Sequence, residues 1–239
     1  MIKKLIAITA FCLVVFSANS ATHELYGKKA DEKIPGSEIV RYKDFTNIPN
    51  YVKFKSGNEL PLTKLENWLA SYYNSDVKFG LTLLSTETDR LGFTHYRYQQ
   101  IINNIPVKLG MYIAHVKNGM VISMNGELFS QNINSNSVNI SESKALSKAL
   151  DFVGATKYKW EIAAEENHLK WEQNNANATY YPTGKLIYIN KNGKPSNELK
   201  LAFVFNIYAQ EPLSRQEVYV DAANGEIIWS ENKIHHVDE

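Results

Sequence analysis

Among the side chains able to do chemistry, six histidines, one cysteine and the carboxylates near them set the possibilities. A zinc peptidase needs two histidines one helical turn apart, with a glutamate beside the first to act as base. His23 and Glu24 begin such a string, but position 27 is Gly27, so the second ligand is missing. His95 and His115 fall on expected strands and can face each other across a sheet. Without a further ligand to complete a set, a hydrogen-bonded pair is the stronger expectation there. His168 stands alone, and His235 and His236 belong to a polar C-terminal tail. Cys12 lies inside an N-terminal apolar run, and no serine occupies a G-x-S-x-G elbow. Glu165 and Glu166 read as a solvated face, and the 12 glycines are dispersed rather than gathered into a phosphate loop. The expectation is therefore a chain that is not an enzyme by itself, with no catalytic group, no metal and no cofactor.

Positioning elements follow from the compartment and the periodicities. Lys3 and Lys4 precede an apolar run over residues 5–16, and Ser17, Ala18, Asn19, Ser20 and Ala21 come next. That order is a secretory signal peptide over residues 1–21, cut after Ser20 or Ala21. The run is shorter than the ~20 apolar residues that cross a bilayer, so a cleaved leader is favoured over an anchor. A secreted product is expected, with no membrane association once the leader is removed and no thiol left in the mature chain. Without disulfides its core must supply the stability, and two domains of about 100 residues fit the length. Lys and Arg number 26 against 25 Asp and Glu. That balance leaves no electrostatic footprint for nucleic acid. Fourteen Tyr, 10 Phe and 4 Trp favour a sheet-rich fold.

The periodicities describe one unit twice, a helix followed by an antiparallel sheet. A first helix is expected over residues 63–74, with Leu65, Trp68, Leu69, Tyr72 and Tyr73 on one face and a capping box from Thr63 and Glu66. Strands are expected over residues 92–102 and 105–116, joined through Asn103 and Asn104. The pair Asn118 and Gly119 tolerates positive φ and should close a hairpin onto residues 120–125. Residues 131–139, rich in Asn and Ser, make the best linker, which sets a boundary near residue 135. Beyond it Ser141 should cap a second helix that carries Ala145, Leu146, Ala149, Leu150 and Val153 on one side and stops at Gly154. Strands then follow over residues 185–190, 199–209, 217–221 and 226–229, the last pair turning at Asn224 and Gly225. Residues 157–181 give no clear element; Trp160, Leu169 and Trp171 suggest packing, and 174–178 a loop.

Residues 91–110 (LGFTHYRYQQIINNIPVKLG), with His115 and residues 118–128 (NGMVISMNGEL), resemble the fungalysin and thermolysin propeptide domain. His95, the run Arg97-Tyr98-Gln99-Gln100, Pro106-Val107, Gly110, His115 and the Asn118-Gly119 hairpin all fit the pattern, while Asn104 stands where the family usually has Gly. The second unit resembles a PepSY domain in its Ile140-Ser141 helix start, its Leu201-Ala202-Phe203-Val204 strand and its ending over residues 218–228. The two resemblances cover about residues 35–233 in the family's order. They imply an α+β fold of two modules, each an antiparallel sheet packed with a helix, cystatin-like then PepSY-like. The implied domains are 22–134, including an N-terminal extension, and 135–239, including a C-terminal tail.

Such a prosegment of a thermolysin-like (M4) metalloprotease assists the folding of the protease and occupies its active-site cleft. The implied partner is that catalytic domain, in cis or in trans, and the full-length parent would be a zinc metalloendopeptidase. Candidate contacts with it are His95, Arg97, His115, Tyr219, Asp221, Trp229, His235 and His236. Latency through a thiolate on zinc is excluded for a mature chain without cysteine. The block must be steric, or the tail carrying His235, His236, Asp238 and Glu239 must approach the metal. A free-standing secreted PepSY-type protease inhibitor, or a cell-surface binding module, is the alternative, since the chain stops near the point where the mature enzyme would begin.

Overall fold

A computed structural model describes residues 22–44, 46–73, 76–129, 137–193 and 198–234. The expected signal peptide, most of the expected linker and both tail histidines lie outside the described residues.

In chain order the elements are β1 (Thr22–Tyr26), α1 (Gly27–Lys33), β2 (Ser37–Lys43), β3 (Tyr51–Phe54), β4 (Leu60–Pro61), α2 (Leu65–Ala70), β5 (Phe79–Thr88), β6 (Thr94–Ile102), β7 (Ile105–Lys117) and β8 (Met120–Glu127). There follow α3 (Glu142–Val153), β9 (Lys157–Tyr158), α4 (Ala163–Glu172), β10 (Lys185–Asn190), β11 (Leu199–Glu211), β12 (Leu213–Asp221) and β13 (Ile227–Asn232). Among the described residues these make a mixed α and β fold, with four helices on a single, mostly antiparallel sheet of 13 strands.

Local sequence explains the elements that were expected. Asn103 and Asn104 adopt φ of 51° and 64°, and Asn118 and Gly119 adopt 52° and 76°, the left-handed values a two-residue hairpin demands. The second hairpin sets Lys117 opposite Met120, and after a one-residue shift between Val116 and His115 the ladder runs on to Met111 opposite Glu127. At α3 the Ser141 hydroxyl accepts the Lys144 N–H, and Gly154 ends the helix at φ 63°.

Other elements differ from expectation. A 3₁₀ turn over Leu62–Lys64 precedes α2, whose N-cap is Lys64; a lysine side chain has no acceptor, so the expected capping box is not what starts this helix. Strand β5 was not foreseen, because residues 82–88 are exposed on both faces and show no alternation. It is held instead by its ladder to β6. Helix α4 was also missed, since only Leu169 is buried along it. Trp171, expected to pack, is 78% exposed.

Two cores lie against one face of the sheet. The first gathers Ala30 of α1 and Leu65 and Leu69 of α2 against Val40, Tyr112, Ala114 and Met124. The second gathers Ala145, Leu146 and Ala149 of α3 against Phe203, Phe205, Ile207, Val218 and Val220. Strand β6 serves both, with Tyr96 and Tyr98 packed on the first core and Ile102 buried in the second. Between them Gln100 is fully buried; its Oε1 accepts the Phe129 N–H at 2.9 Å and its Nε2 donates to the Phe129 carbonyl at 2.8 Å. A mid-strand glutamine thus stands in for a backbone partner and satisfies both polar groups of a buried segment. Ile102, Val107 and Phe129, all from before the expected boundary, belong to the second core, and Val107 pairs with Tyr188 of β10 in the parallel sense. The two halves therefore share one sheet rather than closing separately.

Candidate functional site

The sheet face turned away from these cores carries the polar chemistry. On β6 and β7 the alternation that buries Tyr98 and Tyr112 sends His95, Arg97 and His115 to the opposite side. On β11 and β12 the same rule buries Phe205 and Val218 and turns Val204, Glu217 and Tyr219 the other way.

A first patch is a hydrogen-bonded row. The register sets His95 directly opposite His115. Their Nδ1 atoms are 2.7 Å apart, His95 Nε2 reaches Asp89 Oδ2 at 3.2 Å, and His115 Nε2 reaches Asn125 Oδ1 at 2.7 Å. Asp89 is fixed from behind, because its Oδ1 accepts the Leu91 and Phe93 N–H groups at 2.8 and 3.0 Å. The Phe93 N–H, with smaller help from Leu91 and His95, holds the Asp89 carboxyl below its ordinary range. Arg97 sits two residues from His95 on the same face and is exposed.

A second patch is built around Lys108. Between the pairs Gln99 with Met111 and Ile101 with Pro106, β7 bulges. The Gln99 amide spans the bulge, donating to the Val107 and Gly110 carbonyls at 2.6 and 2.8 Å, and Leu109 takes φ of 65° there. The bulge directs Lys108 toward the second half of the sheet, where its ammonium lies 3.0 Å from Glu231 and 3.4 Å from Glu217. That ammonium also stands 5.3 Å from the ring centre of Tyr219 and 5.5 Å from that of Trp229. The two rings stack at 5.4 Å and 29°. The Tyr219 hydroxyl donates to Glu217 at 2.9 Å, and Lys233 reaches the same carboxylate at 3.4 Å. Burial works against the Glu217 charge, but the Tyr219 hydroxyl and the Lys108 and Lys233 ammonium groups outweigh it and lower the Glu217 pKa. Burial, and then that same hydrogen bond, push the Tyr219 phenol upward.

Near the bulge, a shallow open cavity of about 600 Å³ is lined by Arg41, Tyr51, Leu109, Met111, Asn125 and Glu127. Its cations are paired, Arg41 with Glu24 and Lys43 with Glu127.

The structure thus brings His95 and His115 into contact, leaves Arg97 open beside them, and stacks Tyr219 on Trp229. Asp221 has a different place: only 5% exposed, it accepts Lys200 Nζ at 2.8 Å and the Ala223 N–H at 2.9 Å, and so locks the turn into β13. His235 and His236 lie outside the described residues. Sequence reasoning missed Lys108, Glu217, Glu231, Asp89 and Asn125, whose roles arise from a bulge and from register rather than from spacing. Among the described residues, no group of three His, Cys, Asp or Glu side chains is placed to hold a metal. No helix among them is long and apolar enough to cross a membrane. The arrangement suits non-covalent recognition over a broad face.

A family model described as the Fungalysin/Thermolysin Propeptide Motif matches residues 79–128, the span from β5 to the end of β8. The chain is 31% identical over 171 residues to bacillolysin of Bacillus subtilis (strain 168), which is 70% of this chain and 30% of that protein. It is 32% identical over 161 residues to bacillolysin of Bacillus amyloliquefaciens, or 65% of this chain and 28% of that one. Thermolysin of Alicyclobacillus acidocaldarius subsp. acidocaldarius is 30% identical over 165 residues, 66% of this chain and 26% of the relative. The chain therefore spans about 30% of the length of the first of these relatives. The matched parts are propeptide regions of these relatives and leave their catalytic domains out. A looser likeness, at TM-score 0.37 and 13% identity, joins 92% of the chain to 92% of the Bacillus megaterium YpeB C-terminal domain. Residues 79–128 thus carry the propeptide motif, and the likeness to bacillolysin and thermolysin supports a thermolysin-like (M4) propeptide region in this chain.

Proposed function

We propose that the chain acts as a prosegment toward a thermolysin-like catalytic domain, helping that domain to fold and holding it inactive. The observation that carries this reading is the restriction of the similarity to the propeptide regions of bacillolysin and thermolysin. A large preformed sheet can template slow non-local pairing in a partner and so lower its folding barrier. A surface that binds only the native partner stabilises it as well, by about 2.7 kcal/mol at a hundredfold excess over Kd.

The contact surface in this reading is the face opposite the cores. His95, Arg97 and Trp229 offer aromatic and charged groups there, the side-chain types that dominate protein interfaces, while Tyr219, only 1% exposed, supports Trp229 by stacking against it. The block is steric. Residues 135–239 act as a PepSY-like second module, and residues 1–21 as the signal that exports the chain, so that it meets its partner outside the cell.

Refolding a thermolysin-like protease with and without residues 22–239 in trans tests the proposal. A higher yield of active enzyme after proteolytic removal of the chain, with peptidase activity suppressed while it is present, is the expected result. Unchanged yield and unchanged activity at micromolar chain would sink it.

A further inference from the structure

A contact of 2.7 Å between two imidazole nitrogens requires one hydrogen between them. With none, two lone pairs collide; with two, the N–H groups collide.

Two hydrogen counts satisfy the row, the higher of them with either ring doubly protonated, since His115 can equally donate to His95 Nδ1 and to the Asn125 carbonyl. In one form of the higher count, His95 carries hydrogen on both nitrogens and donates to Asp89 and to His115 Nδ1, while His115 donates through Nε2 to the Asn125 carbonyl. In the lower, Asn125 turns its amide over and donates to His115 Nε2, His115 donates through Nδ1 to His95, and His95 donates to Asp89. The higher count holds one more proton than the lower, and both keep a single hydrogen between the rings. No arrangement accepts a further proton, because the ring still able to take it could do so only on the nitrogen that receives the other ring's N–H.

We propose that the row Asp89, His95, His115 and Asn125 is a proton-counting latch across β6 and β7, closed while the rings share one hydrogen and forced open when each Nδ1 carries its own. Histidine is the side chain whose charge ordinarily changes between about pH 5 and 8, so the latch answers to mild acid. Solvent can reach it, since the His95 side chain is 30% exposed and that of Asp89 35%.

The other groups around the pair do not replace the missing acceptor. On β5 the register sets Glu87 opposite His95, and on β8 it sets Ser123 opposite His115. Arg97 and Lys117, two residues from each histidine on β6 and β7, are cations, and Lys117 lies 4.9 Å from the Phe93 ring centre. On β3 Tyr51 faces Asn125 and Lys53 faces Ser123, with Lys53 paired to Glu38 at 2.9 Å.

Opening would separate the strands that present His95, Arg97 and His115. On the prosegment reading, which this consequence alone rests on, mild acid loosens the docking face.

The test uses the chain from residue 22 onward, without a partner, so its outcome is separate from that of the proposed function. Imidazole nitrogen NMR between pH 8 and 4.5 is expected to show two uptake steps separated by at least about one pH unit. The second step should coincide with at least about tenfold faster hydrogen exchange at the β6 and β7 amides. In a His115→Asn variant the remaining ring should protonate in one step without that acceleration. A single joint step in the wild-type chain with unchanged exchange would overturn the latch, whether or not the variant folds. So would acceleration that persists in a folded variant.

Discussion

The two patches on the open face sit on the same sheet and are tied by the same strand, yet they are built from different physics. Around His95 and His115 a single row of hydrogen bonds links the turn after β5 to β6, β7 and β8, and each ring nitrogen has one partner. Around Lys108 one ammonium is shared by two carboxylates and two aromatic rings, and a second lysine backs it. The row fails when one hydrogen is added in the wrong place. The cluster has redundancy, since Glu217 keeps Tyr219 and Lys233 if Lys108 is lost. Proton count therefore governs the first patch, whereas charge pairing and desolvation govern the second.

The largest way to break this comparison is to remove what the patches share. Gln100→Leu deletes both hydrogen bonds that the Gln100 side chain makes to the buried Phe129 backbone behind both patches, at an expected cost of about 3 kcal/mol. Because Gln100 lies between the cores, urea midpoints followed by tryptophan fluorescence and by far-UV circular dichroism should fall together. A fall in one signal alone would show the halves to be independent.

A smaller change addresses only the second patch. Lys108→Met keeps the side-chain stem but deletes the ammonium, which should cost about 1 to 2 kcal/mol at low salt. The loss should shrink in high salt, since the variant removes a screened attraction and leaves Glu217 and Glu231 to repel each other. Imidazole signals of His95 and His115 should stay in place.

Acid sharpens the contrast with the least perturbation. The pKa of Glu217 in the folded chain lies below its ordinary 4.5. Its ionised form therefore contributes fully above pH 4.5, and the contribution is lost as pH falls from there through the folded value. The histidine row is expected to open at milder acidity. Thermal midpoints against pH should show two separate declines, and Glu217→Gln should flatten only the lower one.

How much of this was legible in the sequence depended on whether the signal was local. Asn103, Asn104, Asn118 and Gly119 announce their hairpins because few other residues accept positive φ, and Ser141 and Gly154 mark the ends of α3 for comparable local reasons. Strand β5 exists through its ladder to β6, and α4 buries little more than Leu169, so neither carries a periodicity. Residues 22–62 hold four strands and a helix in short pieces, too brief for a pattern.

The same division runs through the site. A His95 and His115 pair follows from two adjacent strands, and it was expected. The Lys108 cluster requires a bulge in β7, a second sheet half and a turn that brings Trp229 beside Gly193, where an added Cβ would meet the indole at 2.7 Å. None of these contacts is nearby in sequence. Asp221, a candidate contact on the propeptide resemblance, is held by Lys200 and the Ala223 N–H in the turn into β13, partners that spacing does not announce.

Hydrogen exchange on the chain from residue 22, alone and with a thermolysin-like peptidase, most directly tests whether the open face is the docking surface. Slowed exchange in β6, β7, β12 and β13, together with loss of peptidase activity at micromolar chain, is the result this account predicts. Protection confined to α1, α2 and α3, or binding that leaves the peptidase fully active, would contradict it.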